Sequence, residues 1–136
     1  TPDALERALA ACREHTHGRV LVVFGCGGDR DSSKRPLMAA AAEGVADQLV
    51  ITSDNPRDEH PSTIVSQILL GTGEDSSVQV QVDRALAISE TIAQATANDV
   101  IVIAGKGHED YQEIAGVKYP FSDMQLAKET LQEIAA

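Results

Sequence analysis

Three short aliphatic runs, Val20-Leu21-Val22-Val23-Phe24, Gln48-Leu49-Val50-Ile51-Thr52 and Val100-Ile101-Val102-Ile103-Ala104, constrain this chain more than any other feature. Each has an unbroken β-branched or aliphatic centre, the pattern of a strand covered on both faces. Segments of helical period separate them. From Pro2 to His15 the apolar residues Ala4, Leu5, Ala8, Leu9 and Cys12 recur at three- and four-residue spacing, and Gly18 is the expected stop. Pro36 is expected to open a second helix with an alanine-rich body from Leu37 to Val45, and Pro61 a third that runs to about Leu70. Val78 to Val82 reads as a short strand and Ala85 to Thr96 as a helix, with a polar loop at Gly71 to Ser77 before them. Tyr111 to Phe121 reads as extended chain around an Ala115-Gly116 turn, and Ser122-Asp123 caps a last helix through Leu131. This alternation predicts an α/β domain: a three-layer, Rossmann-like fold with a mostly parallel sheet flanked by helices.

In such a sheet ligands sit beyond the carboxyl ends of the strands, so the residues that follow each run are where chemistry is expected. The first run ends in Gly25-Cys26-Gly27-Gly28, the second leads into Asp54-Asn55-Pro56-Arg57, and the third into Gly105-Lys106-Gly107-His108-Glu109. All three clusters are expected at one edge of the domain. The glycine-rich turn fits either a phosphate cradle or a plain turn requirement. It has no dinucleotide fingerprint, and no nucleoside-triphosphatase phosphate loop occurs in the chain. Asp29-Arg30-Asp31 and Lys34-Arg35 read as solvated loop charges. Pro56 keeps Asn55 out of the helical region and aims Arg57, whose guanidinium can bind a carboxylate through two parallel hydrogen bonds. Glycines around Lys106 permit close backbone approach, and His108 reads either as a proton acceptor or as a loop histidine.

Composition narrows the partners. With 21 acidic against 11 basic residues and a formal net charge of -10, the chain has no broad basic face for nucleic acid. No apolar run approaches a membrane span and no export signal opens the chain, so a cytoplasmic protein is expected. Cys12 and Cys26 lack metal-ligand or disulfide spacing and read as buried free thiols, and the histidines His15, His17 and His60 show no ligand pattern, so no metal site is expected. At 136 residues, 43% of them hydrophobic, the chain can build one core. It begins Thr1-Pro2-Asp3, a helix start without an initiator methionine, which suggests a piece of a longer protein.

Taken together, Val23-Phe24-Gly25-Cys26-Gly27-Gly28-Asp29-Arg30-Asp31 with Lys34-Arg35-Pro36, then Asp54-Asn55-Pro56-Arg57, then Ala104-Gly105-Lys106-Gly107-His108-Glu109-Asp110-Tyr111-Gln112, resemble in order and spacing the carboxyl-terminal domain of the Mur ligases. The resemblance spans nearly the whole chain. The Asp-Asn-Pro-Arg motif resembles that of the members that add meso-diaminopimelate to UDP-N-acetylmuramoyl-L-alanyl-D-glutamate in peptidoglycan synthesis. It implies that residues 1–136 are the amino-acid-binding domain, and that an amino-terminal UDP-sugar domain and a central ATPase domain lie outside this chain. It implies a meso-diaminopimelate site formed by Arg30, Asp54, Asn55, Pro56, Arg57, the backbone at Gly105, and Glu109. In that site Glu109 holds an ammonium, while Arg30, Asn55 and Arg57 serve carboxylates. Asp29 and Lys34 lie where the domain could close over nucleotide. ATP and Mg2+ are implied for the full-length enzyme, bound mainly by the central domain, with no covalent catalyst in this fragment and no activity from it alone. Other readings of the same fold are a lysine-adding or folylpolyglutamate-type ligase domain, and, from a different class, a noncatalytic module that binds a cell-wall precursor.

Overall fold

The structure, a computed structural model, describes residues 1–74 and 77–136. In chain order the elements are α1 (Pro2–Glu14), β1 (Val20–Phe24), α2 (Lys34–Glu43), β2 (Gln48–Ile51), α3 (Pro61–Leu69), β3 (Val78–Val80), α4 (Arg84–Gln94), β4 (Val100–Ile103), β5 (Tyr111–Ile114), β6 (Val117–Pro120) and α5 (Asp123–Ala135). The first four strands form one sheet in the order β3-β2-β1-β4, every pair parallel. The expected three-layer α/β architecture is what forms.

The two-residue period of the strands sorts the core into two faces. Val20, Val22 and Phe24 of β1, with Leu49 and Ile51 of β2, pack under α1, α2 and α3 through Leu5, Leu9, Ala39, Ala42, Ile64 and Ile68. Val23 and Val50 face the other way, against Ala87, Ile88 and Ile92 of α4 and Leu126 and Ala127 of α5. β1 lies between β2 and β4 and is buried at all five positions, which is why its sequence carries no polar residue.

Topology places the functional edge. From β1 the chain winds outward through β2 to β3, and α4 then carries it back to β4 on the other side of β1. The order reverses there, so the loops that follow β1 and β4 diverge and leave a crevice at the carboxyl end of the sheet. Arg84, 1% exposed, fastens this edge. Its guanidinium grips Asp123 at 2.8 and 2.7 Å and donates to the carbonyls of Ser53 and Ala104 at 3.0 and 3.1 Å. It thereby joins the ends of β2 and β4 to the start of α5, in the fork geometry that makes a buried arginine tolerable.

Several boundaries differ from expectation. α2 begins at Lys34, so Pro36 lies in the first turn, where a missing N–H costs nothing. Ser33 precedes the helix with helical φ and ψ and does not cap it by its side chain, and its hydroxyl donates to Asp31 at 2.6 Å. β3 ends at Val80, short of Val82, and Asp83 turns to cap α4. Of the polar loop expected at 71–77, residues 75 and 76 lie outside the described part. Tyr111 to Pro120 forms an antiparallel hairpin, separate from the main sheet, whose turn residues Ala115 and Gly116 both have positive φ (50° and 80°), as a type I′ turn requires. Cys12 and Cys26 are free but only half-buried, a correction to the expectation of buried thiols. Desolvation pushes the Cys26 thiol up to about 11, which leaves it protonated and unreactive at neutral pH.

Candidate functional site

The loop after β1 is shaped by its glycines, and two of the contacts they permit are with the chain itself. A Cβ on Gly28 would lie 1.8 Å from the Pro56 carbonyl oxygen, and one on Gly25 would lie 2.3 Å from that of Thr52. The Gly28 N–H donates to the Asn55 carbonyl at 2.7 Å. These glycines admit the 52–57 segment, and the donor a phosphate would need at Gly28 is already used.

Arg35, which sequence alone places among solvated charges, is 1% exposed, and that expectation is corrected here. It donates to both oxygens of Glu59 at 3.0 and 2.7 Å, to Gln67 at 2.7 Å and to the Gly27 carbonyl at 2.9 Å. The guanidinium hydrogen bonds, followed by one from the Asp29 N–H, hold the Glu59 carboxyl down at about 2. Asp29 sits at φ 54° with an exposed side chain, and Arg30 and Lys34 are exposed beside it.

The second and third clusters meet around Lys106, whose side chain is wholly buried. Its Nζ donates to Asn55 Oδ1 at 2.7 Å and to the Tyr111 carbonyl at 2.9 Å, with Asp54 Oδ1 at 3.3 Å and Glu109 Oε1 at 3.5 Å. Asn55 is buried too: its Oδ1 also accepts from the Glu113 N–H at 2.9 Å and its Nδ2 donates to Glu109 at 3.2 Å. The amide of Asn55 thus works as an internal joint between the two loops. Asp54, Glu109 and Lys106 leave one carboxylate charge in excess, a local field suited to an ammonium group. Gly105 adopts φ 110° with a Cβ position only 2.9 Å from Asp54 Oδ2, so a side chain there would strain the backbone and crowd this cluster.

Arg57 is held unusually firmly for a loop residue. It has φ 52°, its N–H donates to the Glu113 carbonyl at 3.0 Å, and its carbonyl accepts from Ala115 at 2.7 Å. Nη1 donates to the Gly28 carbonyl at 3.0 Å and approaches that of Asn55 at 3.5 Å, while Nε lies 3.5 Å from the Glu113 carboxylate. Pro56 is buried over Gly28. His108 is exposed in the turn that the Glu109 N–H closes on the Lys106 carbonyl.

A cavity of about 360 Å³ opens at the crevice, lined by the glycine turn, Arg30, Asp31, Lys34, Arg35, Asp54 and Gly105. Arg30, Asp54 and Gly105 of the expected site share this wall; Asn55, Arg57 and Glu109 are outside it. Among the described residues, the buried side-chain atoms lacking a hydrogen-bond partner are Arg35 Nε and Asp54 Oδ1, and both residues line this cavity. Sequence reasoning passed over Arg35, Glu113 and the central role of Lys106. For Lys106 a signal existed, a lysine between glycines at the end of an apolar strand.

The family described as "Mur ligase, glutamate ligase domain" matches residues 1–107. Curated relatives named UDP-N-acetylmuramoyl-L-alanyl-D-glutamate--2,6-diaminopimelate ligase include those of Acidovorax sp. (strain JS42), 58% identical over 134 residues, and Aquifex aeolicus (strain VF5), 53% identical over 131 residues. Each alignment covers 96% of this chain and 27% of the relative, so the chain spans about a quarter of the length of the proteins it matches. A solved structure of a protein with that same name superposes with a TM-score of 0.96 at 42% identity, covering 100% of this chain and 28% of the other.

Proposed function

Since this chain belongs to the family of the Mur ligase glutamate ligase domain, we propose that it is the amino-acid-binding domain of an ATP-dependent ligase that adds meso-diaminopimelate to UDP-N-acetylmuramoyl-L-alanyl-D-glutamate. The observation that carries this reading is the pairing, at one sheet edge, of a carboxylate-rich cluster around Lys106 with an arginine held in place by its own backbone. The cluster of Asp54 and Glu109 receives an ammonium of the substrate. Arg57 and Arg30 receive carboxylates, and Asn55, Pro56 and Gly105 hold the walls at the right separation. Because substrate and transition state are bound by a preorganised surface, the domain contributes orientation of the amine toward an acyl phosphate formed elsewhere in the protein. That amine attacks the acyl carbon, inorganic phosphate leaves, and an amide remains.

ATP and Mg2+ belong, in this reading, to a domain outside the chain. Gly28 is not free to hold a phosphate, because it gives its N–H to Asn55 and its open side to Pro56. Asp29 and Lys34 are the residues of this chain assigned to the nucleotide side, and His108 is left as a proton acceptor only if substrate approaches the turn it occupies.

The test is amino-acid-dependent phosphate release by the full-length protein that carries this domain, supplied with ATP, Mg2+ and the UDP-muramoyl dipeptide. Release with meso-diaminopimelate and not with L-lysine is expected. Release with lysine overturns the assignment of Arg57, and release with neither overturns the ligase reading. In the same assay Arg57→Ala is expected to raise KM for diaminopimelate about ten- to a hundredfold, the loss of a charged hydrogen-bonded pair, and to move KM for ATP far less.

A further inference from the structure

Among the described residues, Glu113 is the one carboxylate ion-paired with the Arg57 guanidinium, and it reaches it from the same residue whose backbone fixes Arg57 and Asn55. The two functions separate cleanly. The Glu113 N–H bonds Asn55 Oδ1 at 2.9 Å and its carbonyl accepts from the Arg57 N–H at 3.0 Å, so the hairpin is latched to the 54–57 segment by main-chain atoms. Gln112 adds a bond from Nε2 to the Asp54 carbonyl at 2.8 Å. The Glu113 side chain contributes none of this. Its Oε1 stands 3.5 Å from Arg57 Nε, near enough for charge attraction yet outside hydrogen-bond length, with 17% of the arginine side chain and 26% of the glutamate exposed.

We infer that Glu113 is a specificity-determining residue that acts through Arg57, as an internal counter-ion that sets how strongly the site distinguishes an amino acid with a second carboxylate from one without it. The inference rests on the proposed function above, in which Arg57 receives that carboxylate. An arginine with no counter-ion gains most from an incoming carboxylate and loses most when a substrate brings none. With Glu113 at 3.5 Å part of that charge is already neutralised, so the gain and the penalty are both reduced. The direction of the effect is therefore fixed by charge. Removing the Glu113 charge strengthens binding of a dicarboxylic substrate and weakens that of lysine, whose side-chain ammonium then meets an unbalanced guanidinium. A residue that merely oriented Arg57 would act in the opposite sense on the dicarboxylic substrate. Arg57 Nη1 remains anchored on the Gly28 carbonyl at 3.0 Å in either case, which keeps the guanidinium in position without help from Glu113.

The experiment compares wild type, Glu113→Gln and Glu113→Ala in the full-length protein, with kcat and KM for meso-diaminopimelate, L-lysine and ATP read from phosphate release. Both variants keep the main-chain latch, and the alanine variant covers the case in which a glutamine finds a new hydrogen bond to Arg57. A fall of about threefold in KM for diaminopimelate is expected, the size of a partly exposed ion pair, with a rise in the kcat/KM ratio of diaminopimelate over lysine and a change of less than twofold in KM for ATP. A higher KM for diaminopimelate, or an unchanged ratio in both variants, overturns the inference. Variants that lose activity toward every substrate together, with a lowered melting temperature, overturn it too, because the side chain is then structural. Absence of diaminopimelate-dependent release by the wild type is a separate result, and it counts against the proposed function.

Discussion

Two glycine-bearing loops leave the sheet at neighbouring strands, Gly25 to Gly28 after β1 and Gly105 to Gly107 after β4, and they use glycine for opposite reasons. In the first, glycine makes room: a methyl group on Gly28 would sit 1.8 Å from the Pro56 carbonyl oxygen and one on Gly25 2.3 Å from that of Thr52. In the second, glycine supplies conformation: Gly105 and Gly107 have φ of 110° and 53°, and nothing lies within 4 Å of a methyl placed on Gly107. At Gly28 the first loop is therefore closed by its own protein, although Gly25, Cys26 and Gly27 line the cavity, and at Gly107 the second stays open to what comes from solvent. A glycine-rich turn at a strand end is not in itself a ligand cradle; what fills the space beside it decides.

The largest effect is expected where the comparison is broken at its tightest point. Gly28→Ala puts a methyl inside the backbone of Pro56, which cannot move without displacing Asn55 and Arg57. We expect a loss of about 3 kcal/mol or more, the scale of severe overpacking, read as a lowered midpoint in urea unfolding. A midpoint within experimental scatter of wild type would show that the 25–28 and 52–57 segments are not packed against each other in solution.

Next comes the anchor under the first loop. Arg35→Met removes the donors to Glu59, Gln67 and the Gly27 carbonyl while keeping an apolar stem of similar length. Breaking such a pair from one side is expected to cost about 2 to 3 kcal/mol, less than the largest values for buried pairs because the Glu59 side chain is 30% exposed and can rehydrate. Equal stability of the two proteins would reduce the Arg35 cluster to a passive feature of the fold.

The same contrast explains what was legible in the sequence. The strands and the hairpin turn follow from local pattern, because aliphatic runs and an Ala-Gly turn state their structure within five or six residues, and the parallel sense of the sheet follows from the alternation of strands with helices. Arg35 reads as a solvated charge, and nothing in the sequence around Arg84 marks it, because the burial of both depends on acceptors 24 to 39 residues away, Glu59 and Gln67 for one and Ser53 and Asp123 for the other. Asn55 and Lys106 both lie in motifs that the sequence sets at strand ends, but the bond between them spans 51 residues and needs β2 and β4 set in place on either side of β1. No periodicity encodes that. The three clusters do lie together at one edge, while the division of their residues into those that line the cavity and those that brace it is a property of the assembled sheet.

A smaller effect sharpens the comparison from the open side. Gly107→Ala meets no atom within 4 Å, so its cost is only that of holding a side chain at φ 53°, about 1 kcal/mol. A loss as large as that of Gly28→Ala would mean that the second loop is packed as tightly as the first.

The smallest expected effect is on acid sensitivity, and it isolates the charge in the closed loop. Hydrogen bonds from Arg35, and then from the Asp29 N–H, lower the Glu59 carboxyl from its ordinary 4.5 to about 2. A carboxylate depressed on folding stabilises the folded state fully above its unfolded value and loses that contribution as pH falls through its folded value. The window is therefore pH 4.5 down to about 2. Asp31 and Asp99, held down by Ser33 and Arg19 respectively, add acid sensitivity of the same sign in this range. The useful quantity is accordingly the difference between wild type and Glu59→Gln, which keeps an acceptor for Arg35 but cannot titrate. The stability of the variant should fall less steeply between those pH values, with the two curves running parallel above pH 5. Curves parallel throughout would mean that Arg35 does not hold the Glu59 charge, and that the closed loop is fastened by the glycine contacts alone.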